Sequence, residues 1–363
     1  MIRVGIVGTG WGLAHGRALS TLTELFAVTA VWSREPKRAA AMAVDINVRG
    51  RAAITHSWEE LVARDDVDLV VIAAPDPMHR EIAMFAAAQG KHIVCEKPLA
   101  ETGEDAQRML DAANSAGVAH FTGFLWRYSA PCATLRRLIE DGELGDVRQL
   151  DMCFRIGPPK VDRAWQAERY GGVFTNSLVH LIDLSRYLTD QARDDAWRVW
   201  AHGDAPGSRR HLHSWLHMES QSRPLVVRLQ ASQDWHMRAA DPLMAEVHGT
   251  KASAVAFANP LIPKTQRVML VAKISEIARP VDLSIPGGRA SRAHPQRAAL
   301  EMLVPPARHL YSEHVAPAVA TEQRRSDSPT FREGALAQFV VDAALASAET
   351  GQWQVVETLA SGT

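Results

Sequence analysis

Between residue 2 and about residue 125, short β-branched runs alternate with Ala-rich stretches whose apolar positions recur every three to four residues. The pattern predicts strands at Arg3–Val7, Val28–Trp32, Leu69–Ala73, His92–Val94 and Ala119–Gly123, with helices between them at 12–22, 36–44, 58–64, 79–89 and 102–116. Such alternation is what a parallel sheet with crossover helices produces. After Pro131 the texture changes. One helix (132–140) is followed by half-polar strand segments such as Arg148–Arg155, Leu225–Ser232 and Met244–His248, and Gly171-Gly172 leads into a helical run over 173–188. Residues 280–330, rich in Pro, Arg and Ser, read as long irregular connections before a last helix at 332–349.

Length and composition set the class. With 363 residues, 47% hydrophobic and 22% charged, the chain can bury two cores. Forty basic against 41 acidic residues leave a net charge of -1, so no global field favours nucleic acid or an anionic membrane, and any anion must be held locally. Three scattered cysteines make neither a disulfide framework nor a thiolate metal site and fit a reducing compartment. Met1-Ile2-Arg3-Val4 runs straight into a strand pattern, and no apolar stretch reaches membrane-spanning length, so a cytoplasmic protein is expected.

Candidate chemistry gathers where the parallel strands end. "GIVGTGWGLAHG" places Gly8, Gly10 and Gly12 at the first strand-to-helix turn, with Thr9 and Trp11 between them. Glycines there let main-chain N–H groups and a helix N-terminus approach a pyrophosphate; a tight βα turn is the bland reading. The usual third glycine would stand at position 13, which is Leu13. The second strand ends in Ser33 and Arg34, with Lys37 and Arg38 a turn later, where NAD-preferring sites place a carboxylate. A hydroxyl and cations suit a 2'-phosphate, so NADP(H) is favoured over NAD(H); a capped, solvated helix start is compatible with the same residues. Ala74, Pro75 and His79 follow the third strand, and Glu96-Lys97-Pro98 follows the fourth. Pro98 restricts the turn, so the charges of Glu96 and Lys97 either line a cofactor cleft or form a surface ion pair.

Taken in order, Gly8-Thr9-Gly10-Trp11-Gly12 with His15, Pro75 and His79, Glu96-Lys97-Pro98, Gly123-Phe124, and Gly171-Gly172 followed by Asn176, His180 and Asp183 resemble the glucose-fructose oxidoreductase / inositol dehydrogenase (Gfo/Idh/MocA) family. The resemblance runs from residue 2 to about 190, continues through "EVHGTKAS" (246–253) and includes the last helix. It implies that Lys97 lies between nicotinamide and substrate, and that a helix of the second domain supplies an aspartate and a histidine four residues apart. The histidine is His180; the aspartate position holds Asn176, which can orient a hydroxyl but cannot carry a proton as a carboxylate does. Proton transfer then falls to Lys97 or His180, unless His180 is a helix histidine satisfied beside Asp183. Trp126-Arg127-Tyr128 and "WQAERYGG" (165–172), with Trp165 and Tyr170, lie where family members close over nicotinamide and substrate; domain-junction packing is the alternative. His211, His213 and His217 share one face of a strand with no evident carboxylate partner, so a polar sheet face is preferred to a metal site.

The expected fold class is therefore α/β: an N-terminal Rossmann doubly wound parallel sheet (1–124) and a C-terminal α+β domain (125–363) with a large open, mostly antiparallel sheet. The expected function is NADP(H)-dependent hydride transfer to or from a carbinol or carbonyl carbon of a sugar, polyol or related metabolite. An imine or keto reductase, a redox-neutral enzyme with retained cofactor and a non-catalytic nucleotide-binding regulator are the alternatives. The expected partners are a small-molecule substrate and further copies of the chain, as a homodimer or homotetramer.

Overall fold

In the computed structural model, the described residues are 1–48, 50–155, 172–189, 196–204, 213–232, 243–258, 266–271, 278–283, 303–323, 325–356 and 359. They form two compact units, one of residues 1–125, 299–338 and 359–363, the other of 126–298 and 339–358. The segment 299–338, which the sequence placed in the C-terminal domain, groups with the first unit.

The first unit is a six-stranded sheet of β1 (Ile2–Val7), β2 (Phe26–Trp32), β3 (Ala53–Ile54), β4 (Leu69–Ile72), β5 (His92–Cys95) and β6 (His120–Thr122). Its order is β3-β2-β1-β4-β5-β6, with every neighbouring pair parallel. This is the doubly wound order, in which the direction of winding reverses between β1 and β4. Helices on both faces explain why the central strands are apolar throughout: Leu69, Val70, Val71 and Ile72 are all fully buried. The intervening helices are α1 (Gly12–Leu19), α2 (Pro36–Asp45), α3 (Trp58–Ala63), α4 (His79–Ala88) and α5 (Gly103–Ser115). Side-chain caps start two of them: Ser57 accepts from Glu60 N at 3.1 Å and Thr102 from Asp105 N at 3.1 Å. Each such cap is worth about 1 kcal/mol.

The second unit holds α6 (Ala130–Glu140) and α7 (Val179–Leu188), the latter entered through a π-helical turn at Phe174–Leu178. They pack on a nine-stranded sheet ordered β14-β13-β12-β11-β7-β10-β9-β8-β15. Its strands are β7 (Val147–Arg155), β8 (Trp197–Gly203), β9 (His213–Ser220), β10 (Val226–Ser232), β11 (Leu243–Gly249), β12 (Ser253–Ala258), β13 (Arg267–Val271), β14 (Arg279–Val281) and β15 (Gln354–Val355). Among the described residues, only β7 and β10 of this sheet pair in parallel. Burial alternates along the strands, so one face carries the core (Leu150, Val199, Leu216, Val227, Val247) and the other carries polar and aromatic residues such as His202, Trp215 and Arg228. α8 (Phe331–Thr350) begins in the first unit and ends in the second.

The irregular reading of 280–330 needs correction. Residues 303–321 are helical, with a π-helical turn at Leu310–Val315. Pro305, Pro306 and Pro317 suggested a loop, but all three lie within helical residues, Pro317 in the first turn of Ala316–Thr321. Ala307, Leu310, Tyr311, His314, Val315 and Ala318 are buried at helical spacing.

Candidate active site

The β1–α1 turn is built for close approach of backbone. Gly8 has φ +103, and a Cβ there would lie 2.2 Å from the Ala73 carbonyl oxygen, so only glycine fits. A Cβ on Gly10 would meet nothing within 4 Å, leaving open space beside the main chain. Gly12 does the packing usually left to the third glycine: its Cβ would lie 3.1 Å from Ile6 Cγ2 and 3.4 Å from Ala73 Cβ, which seats α1 against β1 and β4. This cradle fits a dinucleotide pyrophosphate, with Thr9, Gly10, Trp11 and Gly12 offering main-chain N–H groups at the start of α1.

At the end of β2, Ser33 is half-buried, with its hydroxyl within 3.5 Å of Thr9 Oγ1, and accepts from Glu35 N at 3.4 Å. Arg34 and Lys37 are exposed and carry no ion pair among the described residues. Arg38 is held by Glu35, with Nε 3.0 Å from Oε2. Two cations, Arg34 and Lys37, are therefore available to a ligand at this edge.

His79 is fully buried, with Nδ1 2.9 Å from the Pro98 carbonyl oxygen and Nε2 3.0 Å from that of Ala74. Its ring is thus a brace that ties the turn after β4, including Ala74 and Pro75, to the turn after β5, where the Lys97–Pro98 peptide is cis. It shapes the edge without presenting a free nitrogen to it.

Glu96 sits at the C-terminal end of β5 and is 7% exposed. Its Oε1 is 2.8 Å from His15 Nε2, and its Oε2 accepts from Lys97 N at 3.3 Å. His15 is fully buried on α1, and its Nδ1 lies 2.8 Å from the hydroxyl of Tyr311. Gly123 lets β6 come close: a Cβ there would be 3.0 Å from Glu96 Oε1. Burial favours a protonated Glu96, yet the His15 hydrogen bond and the adjacent Lys97 outweigh it and hold the carboxyl below its ordinary range. Burial lowers the proton affinity of Lys97, and the carboxylates of Glu96 and Asp76 oppose this without reversing it. A lysine so placed releases its proton more readily than a solvated one.

In the second unit, every residue from 172 to 189 is buried except Asn176, which is exposed, and His180, which is half-buried. These two positions, four apart across the π-helical turn, are what the helix presents, and π turns recur at functional sites. Phe154 packs edge-on between the rings of His180 (6.1 Å) and Trp126 (5.4 Å), bringing Trp126 into the same aromatic group. The other residues of that predicted cluster behave differently. Arg127 is 1% exposed and makes a two-point ion pair with Asp183, Nε to Oδ2 at 2.8 Å and Nη2 to Oδ1, while its guanidinium lies 5.0 Å from the Tyr187 ring. Tyr128 is buried, at 4% exposure. Arg127 and Tyr128 therefore pack the interior, and Asp183 is engaged by Arg127. Trp165, Tyr170 and His211 lie outside the described residues. His213 stacks on Trp215 at 6.3 Å, and His217 lies against Trp353 at 5.4 Å.

Sequence reasoning missed Tyr311 and Phe154. Tyr311 stands 296 positions from His15, and only the apolar periodicity of its helix could have drawn notice to it.

Among known proteins, residues 35% identical over 164 positions align with 1,5-anhydro-D-fructose reductase of Ensifer adhaerens, covering 44% of this chain and 48% of the relative. Levoglucosan dehydrogenase of Pseudarthrobacter phenanthrenivorans is 29% identical over 206 residues (52% of each chain), and inositol 2-dehydrogenase of Corynebacterium glutamicum (strain ATCC 13032) is 32% identical over 189 residues (52% and 54%). The matches thus span about half the length of these relatives. A solved levoglucosan dehydrogenase in complex with NADH and levoglucosan superposes with a TM-score of 0.79 over 98% of this chain and 99% of its own, at 23% identity, which is a likeness of fold. No helix among the described residues is long and apolar enough to cross a membrane. Residues 2–124 match the model of an oxidoreductase family with an NAD-binding Rossmann fold, and residues 132–255 match the Gfo/Idh/MocA C-terminal domain, so the chain belongs to the Gfo/Idh/MocA oxidoreductase family.

Proposed function

We propose that this chain is an NADP(H)-dependent oxidoreductase that interconverts a carbinol and a carbonyl in a sugar, polyol or similar polyhydroxylated molecule. The observation that carries the reading is Lys97, its proton affinity lowered by burial, on the same carboxyl edge of the parallel sheet as the Gly8–Gly12 cradle. When bound, a nicotinamide dinucleotide supplies or accepts the hydride. Lys97 gives a proton to the carbonyl oxygen in reduction and takes one from the hydroxyl in oxidation. Asn176 and His180 bind and orient substrate hydroxyls, and Trp126 offers an apolar surface to the carbon skeleton. Relatives named for levoglucosan, 1,5-anhydrofructose and inositol support the substrate class.

For the cofactor, Ser33 accepts or donates at the ribose end and the unpaired Arg34 and Lys37 attract a 2'-phosphate. The competing reading, NAD(H), is favoured by solved fold relatives bound to NADH. A screen of sugars and polyols followed at the reduced-nicotinamide absorbance band, with both cofactors and with wild type and Arg34→Ala, tests both parts. Losing one charge-assisted bond costs ~1.5–3 kcal/mol, so Arg34→Ala weakens NADP(H) roughly 10- to 150-fold and leaves NAD(H) little changed. Equal losses for both cofactors refute the NADP(H) assignment, and no turnover of any polyhydroxylated compound refutes the substrate class.

A further inference from the structure

The group that faces Lys97 is itself gripped by a buried chain of three side chains drawn from three parts of the sequence. Tyr311 O–H, His15 Nδ1, His15 Nε2 and Glu96 Oε1 are linked by two contacts of 2.8 Å each, and Tyr311 and His15 are fully buried. We propose that Tyr311 is a positioning residue for the reaction: acting through His15, it fixes an ionised Glu96 beside Lys97 and so sets the pH at which Lys97 gives up its proton.

The hydrogen bookkeeping admits one neutral arrangement that satisfies every atom. A carboxylate only accepts, so His15 must donate from Nε2, which leaves Nδ1 as an acceptor that needs a donor. Tyr311 supplies it, and burial together with the nearby Glu96 keeps the phenol protonated by raising its affinity for the proton. The ring's orientation is held by edge-on packing of Tyr311 against both His15 (5.8 Å) and Phe26 (5.5 Å). With the hydroxyl removed, the buried Nδ1 is left without a donor, and Glu96 alone holds the Nε2–H tautomer against the alternative. A ring protonated on Nδ1 would turn a lone pair toward Glu96, and burial would then favour the neutral acid. Lys97 would lose the negative charge that supports its ammonium form. Asp76, in the turn after β4, acts on both Lys97 and Cys95, and Cys95 is a buried thiol whose affinity for its proton is raised. The His79 ring is occupied by the carbonyls of Ala74 and Pro98.

The inference rests on the reading of Lys97 as proton carrier, and the test separates the two. Competitive labelling with limiting acetic anhydride, followed by peptide mass spectrometry, gives the titration midpoint of Lys97 in the protein free of substrate and cofactor. Tyr311→Phe should lower that midpoint by on the order of one pH unit, since an opposing charge at close range is worth about that much. The acid limb of kcat for oxidation should move to lower pH by the same amount, with KM and dinucleotide affinity within about threefold of wild type. Gly123→Ala is the second variant: just after β6, its Cβ presses on Glu96 Oε1, the oxygen that His15 contacts, removes no atom from Tyr311 or His15, and should move the midpoint in the same direction. A midpoint unmoved in whichever of these variants folds overturns the relay. A midpoint that moves while the kcat limb stays fixed overturns its role in the reaction. Lys97→Ala, assayed alongside, addresses the underlying reading alone: retained turnover would remove Lys97 from the chemistry whatever the labelling shows.

Discussion

Replacing Arg127 by Met should strongly destabilise the second unit. The pair it forms with Asp183 has side-chain exposures of 1% and 3%, so Asp183 would be left as a buried carboxylate without the guanidinium that now meets both of its oxygens. Breaking a buried pair in this way costs about 3–5 kcal/mol, because the surviving charge keeps its desolvation penalty. For a unit of this size that is a fall in Tm of roughly 6–20 °C. Deleting both charges is a different perturbation: Arg127→Met with Asp183→Leu leaves no orphan, and apolar replacement of a buried pair is often neutral, so the double variant should recover most of the loss. Urea midpoints for wild type, the two singles and the double form the cycle. Steady-state kinetics of the folded single variant at low temperature should show KM within about threefold, since Arg127 touches the interior. A single variant that loses less than ~1 kcal/mol, or a double variant as unstable as the singles, refutes the argument; a KM raised tenfold or more returns Arg127 to the substrate.

Two further predictions follow from named groups. Asn176→Asp places a carboxylate one turn from His180 and should favour the protonated ring, raising the pH at which NMR sees the His180 ring lose its proton by about one unit over wild type; an unmoved titration refutes the shared face of the two side chains. Burial pushes the Cys132 thiol up to about 12, whereas an unfolded thiol titrates near ~8.5. The folded state then keeps a proton that the unfolded chain releases, so this contribution to stability is complete below ~8.5 and declines as pH rises toward ~12; Cys132→Ala should lessen the alkaline loss of urea midpoint, and an identical pH dependence would refute it.

The parallel sheet was legible because each of its longer strands is a compact apolar run closed by a turn: Leu69–Ile72 could be little else, and the observed ends differ from the expected ones by a residue or two. β3, two residues long, carries no such pattern and exists because Ala53 and Ile54 pair with Ala30 and Val31. In the second unit the half-exposed alternation of β8, β12 and β13 is a weak signal beside loops of similar composition. The site divides the same way. Gly8, Ser33, Arg34, Glu96, Lys97, Asn176 and His180 could be singled out because each follows a local pattern. The interior fates of Arg127 and His79 depend on Asp183 and on two carbonyls, and the partner of His15 lies nearly the whole chain away; tertiary contact alone decides these. The π-helical turn under Asn176 has no sequence signature at all.

The return of residues 299–338 to the first unit bears on the order in which the protein can be made. Thr122 N donates to Pro329 O at 2.6 Å, the Thr122 hydroxyl to Thr330 O at 3.1 Å, and Phe331 N to His120 Nδ1 at 3.1 Å, so the edge strand β6 is finished by chain that follows all of the second sheet's strands but β15. Phe331 and Ala335 enter the same apolar core as Val70 and Ile93, and Tyr311 reaches His15. A ribosome that has released residue 125 has delivered all six strands of the nucleotide-type sheet, yet the last edge, part of the core and the far end of the His15–Glu96 chain are still unsynthesised. A nascent chain stalled before residue 338 therefore leaves the flank of β6 and part of this core uncovered.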